Sequence, residues 1–113
     1  MTDRELLELA AKGAGYDVRS DGEGGLTITV KRGLCRGWNP LNDDGDALRL
    51  AVKLKIDVSH EEIGMKSFVY ARVVFNDDRH IGLSEIFDDE GDRLERTRRA
   101  ITRVAAQIGK DMS

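Results

Sequence analysis

Two histidines, one cysteine, two acidic clusters and a run of C-terminal arginines are the side chains here that could carry chemistry. His60 is followed by Glu61, but no second histidine comes four residues later, so the zinc-protease helix pattern is missing. One Cys and two His leave too few ligands for a structural zinc site, and no metal is expected. Cys35 has no activating neighbour in the sequence, so a nucleophilic role is not expected. A cleft joining carboxylates to His80 is the one enzymatic reading left. The lack of a catalytic constellation makes a non-enzymatic protein without cofactor the expectation.

Phosphate loops fail on spacing. Gly22-Glu23-Gly24-Gly25 lacks the third glycine of a dinucleotide fingerprint and runs into a strand pattern, not a helix. Gly109-Lys110 lacks the upstream glycine and the following Ser/Thr of a Walker loop. The acidic clusters Asp43-Asp44-Gly45-Asp46 and Asp88-Asp89-Glu90-Gly91-Asp92 do not fit a calcium loop. Placing each glycine at position 6 puts Pro40 or Ile86 at position 1, and Thr97 at position 12 of the second. Each cluster precedes a helical pattern, where carboxylates cap free amides and complement the helix dipole.

Two surfaces remain as binding candidates. The first is the loop Arg36-Gly37-Trp38-Asn39-Pro40-Leu41 with the acids Asp43, Asp44 and Asp46. A Trp beside Gly and Pro is either a recognition residue or a plug in the core; one Trp, two Tyr and three Phe in the whole chain favour the plug. The second is the C-terminal stripe Arg96, Arg99, Arg103 and Lys110, which would suit phosphates, either of a nucleic acid or of a small anionic metabolite or nucleotide. A sequence pI near 5.4 disfavours a dedicated nucleic-acid binder.

The elements that must position these residues follow from periodicity. Residues 2–14 read as a helix, with Thr2 and Glu5 in a capping box and Gly13 and Gly15 at the exit. Tyr16 and Val18 begin a strand, residues 20–25 turn, and Leu26, Ile28 and Val30 alternate as a second strand, giving a hairpin. Residues 33–43 read as a loop. Residues 45–55 form a helix with the stripe Ala47, Leu50, Ala51 and Leu54, widened by Leu48 and Val52 into a mostly buried rod. Residues 56–65 read as irregular. Residues 66–75 are apolar on both faces, the mark of a central strand covered on both sides. A turn at Asn76-Asp77-Asp78 leads to a weaker strand, 80–87. The last helix places Leu94, Thr97, Ile101, Val104, Ala105, Ile108 and Met112 on one face. The order α-β-β-α-β-β-α predicts an α+β fold: a three-layer α/β/α sandwich around a four-stranded, mainly antiparallel sheet.

The 113 residues fit one domain, 1–113, burying roughly 65% of the unfolded surface without disulfides. Net charge is −3, and 40% of residues are hydrophobic, which disfavours disorder. A single Cys, no long apolar stretch and no signal-peptide pattern point to a cytoplasmic protein without membrane partners. The open edges of a sheet leave monomer and homodimer equally available.

Three blocks carry a resemblance: 2–12 (TDRELLELAAK), 38–53 (WNPLNDDGDALRLAVK) and 97–109 (TRRAITRVAAQIG). In this order they resemble the small phage- and prophage-encoded proteins called the phage ABA sandwich domain. The segment W-N-P-L-x-D-D-G-D-A-L-R-L-A, from Trp38 to Ala51, is the most specific part, and 56–90 matches no motif. The resemblance implies helix–sheet–helix layers and a bacterial host, with no activity, ligand or catalytic residue attached. It leaves the 38–46 block open to two readings: a turn shaped by Asn39-Pro40 with an Asp capping the second helix, or a binding edge of Trp38 and the acids. Together with the small size and the lack of a catalytic constellation, the resemblance makes a binding module acting on a host or phage macromolecule the expected function.

Overall fold

The computed structural model describes residues 1–76 and 78–112, with Lys31 as backbone only. Asp77, in the middle of the expected 76–78 turn, and Ser113 lie outside the described residues. The fold is α+β. Its described elements run α1 (Asp3–Ala14), β1 (Val18–Ser20), β2 (Leu26–Thr29), β3 (Cys35–Gly37), α2 (Asp44–Leu54), β4 (Asp57–Ile63), β5 (Lys66–Asn76), β6 (Arg79–Phe87) and α3 (Arg93–Asp111). Short 3-10 turns precede β3 and α3. None of the described helices is long and apolar enough to cross a membrane.

The helix ends follow local chemistry. Thr2 Oγ1 accepts from Glu5 N–H at 3.1 Å, and Gly15 ends α1 in the left-handed conformation, at φ 76°. Gly13 does not end α1; it lies inside it, for a reason given below. Asp43 caps α2, and Asp89 caps the 3-10 turn that leads into α3.

The single four-stranded sheet is replaced by two three-stranded antiparallel sheets, ordered β1-β2-β3 and β4-β5-β6. Both extra strands are too polar to announce themselves. β3 falls in the expected loop, where Cys35, Arg36 and Gly37 pair with Thr29, Ile28 and Thr27. β4, of sequence DVSHEEI, falls in the stretch read as irregular. It has no apolar alternation and becomes a strand by pairing with β5 from Asp57↔Arg72 to Ile63↔Lys66. Gly64, at φ 64°, opens the two-residue hairpin loop where a II′-type turn takes glycine.

The three-layer arrangement does not form. β5 is central as expected, and Val69, Ala71 and Val73 are buried on the side where α3 packs. On the opposite side Val74 and Ile86 are exposed, and Tyr70 lies flat across Gly82, filling the space a Cβ there would need. Phe75 sits at a bulge and carries the Arg79 guanidinium 5.2 Å from its ring centre.

The expected buried face of α3 holds in its middle, where Ile101, Val104 and Ala105 are buried and Ile108 packs against the core, but it fails at its ends and is widened by small residues. Leu94 and Met112 are exposed, whereas Ala100, Thr102, Ala106 and Gly109 are buried. Small residues are buried because α1 approaches α3 backbone to backbone. A Cβ on Gly13 would meet Gly109 N at 2.9 Å and overlap the Ala105 carbonyl oxygen; a Cβ on Gly109 would overlap the Leu9 carbonyl. Ala10, Ala11, Ala105 and Ala106 surround this crossing with almost no exposed surface. Glycine costs about 0.5–1 kcal/mol of helix stability relative to alanine, and the close approach overrides that preference.

Gly109→Ala therefore destabilises the protein by about 2 kcal/mol or more despite its better helix propensity. Gly37→Ala, where an added Cβ meets nothing within 4 Å, is nearly neutral. Urea unfolding of both variants checks this; an unchanged midpoint for Gly109→Ala would refute the crossing.

Candidate functional site

The 38–46 block is built around one carboxylate. Trp38 N–H donates to Leu26 O at 2.9 Å, which extends the β2–β3 pairing and turns the indole inward. The ring is 3% exposed and meets Tyr16 edge to face, with centroids 5.8 Å apart at 72°. Pro40 is fully buried, and Asn39 Oδ1 accepts from Leu41 N–H at 3.1 Å, shaping the turn. Asp43 Oδ2 then accepts from Asp46 N–H at 2.8 Å as the α2 cap.

Asp46 itself is 5% exposed. One of its oxygens accepts from Asn39 N–H at 2.9 Å. The other accepts from Arg49 Nη2 at 2.8 Å and lies 3.3 Å from Arg36 Nη1. The hydrogen bond to Asp46 holds the Arg49 guanidinium above its ordinary range, so its charge is secure. A buried carboxylate is stable only when paired and hydrogen-bonded, and Asp46 has both.

Asp44 is tied outward. Arg98 Nη1 donates to Asp44 Oδ1 at 2.6 Å, and Arg98 Nε donates to Leu41 O at 2.8 Å. Arg98 thus fastens the block to α3. Sequence reasoning missed it because it lies off the Arg96–Arg99–Arg103 stripe, and its partners are more than fifty residues away. The geometry favours the plug over the recognition residue for Trp38, since its indole, Arg36, Asn39, Asp43, Asp44 and Asp46 are all engaged with neighbours in the fold. A cleft of about 430 Å³ beside them is lined by Asp3, Arg4, Asp21, Trp38 and Asn39, among others.

The arginine stripe is bent toward carboxylates. Arg96 Nη1 lies 3.3 Å from Glu85 Oε1, and Arg103 Nη1 bonds Glu85 Oε2 and also donates to Ser84 O at 3.3 Å. Arg99 Nη2 donates to Asp3 Oδ1 at 3.0 Å. Lys110 stands exposed in the last turn of α3, where a cation complements the helix dipole. Glu85 and Asp3 were not among the expected site residues; only the register of β6 and the α1–α3 crossing bring them under these guanidinium groups.

The remaining reactive side chains stay apart. Cys35 is exposed, with Sγ 3.8 Å from Thr29 Oγ1. His60 Nδ1 lies 3.0 Å from Arg93 Nη1, and Arg93 also bonds Glu90 and stacks 4.8 Å from the centre of Phe87. His80 is exposed on β6. Among the described residues, no three metal-ligating side chains gather.

The feature that sequence reasoning placed in the core is on the surface. Leu48 and Val52, expected to widen the buried stripe of α2, are 64% and 69% exposed. They border an apolar groove of about 470 Å³ completed by Ile56, Val58, Thr97 and Ile101. Periodicity alone had the angle right but could not show that no described element covers this side of α2. The chain matches none of the known protein families, curated proteins or solved structures with which it was compared.

Two outcomes check the site. Asp46→Ala strands two arginines and the Asn39 amide; because both arginines reach solvent, the loss is about 1–3 kcal/mol and not that of a fully buried pair. Trp38 fluorescence during denaturation reads it, and an unchanged midpoint would contradict the clamp. Asp21 accepts from the amides of Glu23 and Gly25 at 2.7 and 3.0 Å, which hold its carboxyl below the usual range. Its stabilisation is therefore present above the ordinary Asp value and lost as pH falls through the lowered one. The Gly25 amide resonance should titrate below the ordinary Asp midpoint, and Asp21→Asn should abolish that titration.

Proposed function

We propose that this chain is a non-enzymatic binding module of phage or prophage origin, working in the cytoplasm of the bacterial host on a host or phage protein. The apolar groove along α2 carries the reading. Leu48 and Val52 could be polar at no cost to the core, yet they stand in water beside Ile56, Val58 and Ile101. Contiguous exposed apolar surface of this kind favours contact with another protein. The phage-type origin rests on the 38–51 sequence block.

Chemistry separates this from the alternatives, a nucleic-acid binder or a small-anion or nucleotide binder used in counter-defence. Both need cations free to meet phosphate, and Arg96, Arg99 and Arg103 already lie on Glu85 and Asp3. An apolar groove offers phosphate nothing.

The double change Leu48→Glu/Val52→Glu alters exposed positions only, so stability should move by no more than about 0.5 kcal/mol per site. The immobilised protein should retain a specific partner from host lysate, and the double variant should lose it. Identical retention by both proteins overturns the groove reading. Salt-dependent retention of duplex DNA that falls with Arg99→Ala supports the nucleic-acid alternative instead.

A further inference from the structure

We propose that the groove and the free edge of β4 together receive one extended segment of the partner, which adds as a fourth strand to the β4-β5-β6 sheet and carries basic residues alternating with apolar ones. This rests on the binding-module reading and specifies its partner.

Three observations place the strand. First, β4 and β6 are the two edges of that sheet, and they are treated differently. The β6 edge is guarded by Arg103, which donates to Ser84 O. Along β4, among the described residues, no loop backbone or side chain is bonded to the main chain on the side away from β5. His60, Glu61, Glu62 and Ile63 are all exposed there. Such an edge presents unpaired N–H and C=O groups to any incoming chain.

Second, the helix layer is one element wider than the sheet. α3 packs against β5 and β6, and α2 packs beside α3. The groove is bounded by α2, the first residues of β4 and the Thr97–Ile101 face of α3. It therefore opens beside the start of β4 on the helix side, where side chains from a strand added to β4 would project. Where that strand passes the start of β4, its helix-side residues would enter the space lined by Leu48, Val52, Ile56, Val58 and Ile101, because strand side chains alternate faces.

Third, β4 is acidic. On the face turned away from the helices, Asp57 faces Arg72 across the strand pair at 3.9 Å and Glu61 stands opposite Phe68, with no cation of β5 directly across from it, whereas Glu62, opposite Ser67, lies on the helix side with Val58. Opposite charges on neighbouring strands attract and like charges repel, so the incoming segment is basic on its other face. Glu62 disfavours a second copy of this chain. Antiparallel pairing of two β4 strands about His60 sets Glu62 of each opposite Val58 of the other, which puts a carboxylate at the mouth of each groove.

The test uses synthetic nine-residue peptides with the intact protein. One alternates Lys with Val and Leu, one replaces each Lys by Glu, and one rearranges the Lys/Val/Leu composition to a helical period. The alternating basic peptide should bind, with amide shifts confined to β4 and the outer side of α2. The acidic and helical-period peptides should bind at least tenfold more weakly. Leu48→Glu/Val52→Glu and N-methylation of alternate peptide nitrogens should each weaken binding at least tenfold. Equal binding of all three peptides, shifts elsewhere, or no binding at millimolar peptide overturns strand addition. So does a concentration-dependent dimer through β4 in sedimentation. If strand addition fails while the double variant still loses its lysate partner, the binding-module reading stands and only this mode of contact falls.

Discussion

The structure depends on two helices meeting without side chains between them. Gly13 of α1 and Gly109 of α3 let the backbones touch, and the alanines on either side close the seam. Interiors are packed like molecular crystals, so a single methyl group at such a point has nowhere to go. Because α1 takes the small-residue side of α3, the larger apolar residues of α3, Ile101 and Val104, are left for the rest of the core. The hand-over is visible in Thr102, fully buried yet satisfied by its own helix through the Arg98 carbonyl.

That seam also sets the electrostatics. With α1 held against α3, Asp3 comes under Arg99, and with β6 laid along α3, Glu85 comes under Arg96 and Arg103. A stripe that looks like a phosphate reader on a helical wheel thus becomes internal bracing. Exposed ion pairs contribute little each, about 0–1 kcal/mol, so their consequence lies less in stability than in charge. The potential an incoming phosphate would feel is partly cancelled before it arrives.

The Trp38–Asp46 block shows the same conversion of apparent surface chemistry into architecture. Its aromatic ring is core, its proline and asparagine form a turn, and its acids cap, clamp and tether. Asp46 alone joins the turn, β3 through Arg36, and α2 through Arg49. The apolar residues that do reach water, Leu48 and Val52, sit on the far side of the same helix. One short segment therefore anchors the fold with one face and leaves apolar side chains of the other in water.

Wherever the deciding interaction is local, it was legible in the sequence. The three helices, the Thr2 cap, an aspartate cap on α2, the β2 alternation and the α+β class all follow from contacts within a few residues, or from a period that chain geometry imposes. Strands such as Cys35–Gly37 and Asp57–Ile63 were not legible, because polar residues take extended structure there only through a pairing partner. The division into two sheets, the bare side of β5, the exposure of Leu48 and Val52, and the pairing of the α3 arginines were equally hidden. Burial and charge are properties of what lies across from a side chain, and its opposite number stands tens of residues away along the chain, brought near only when the helices lock.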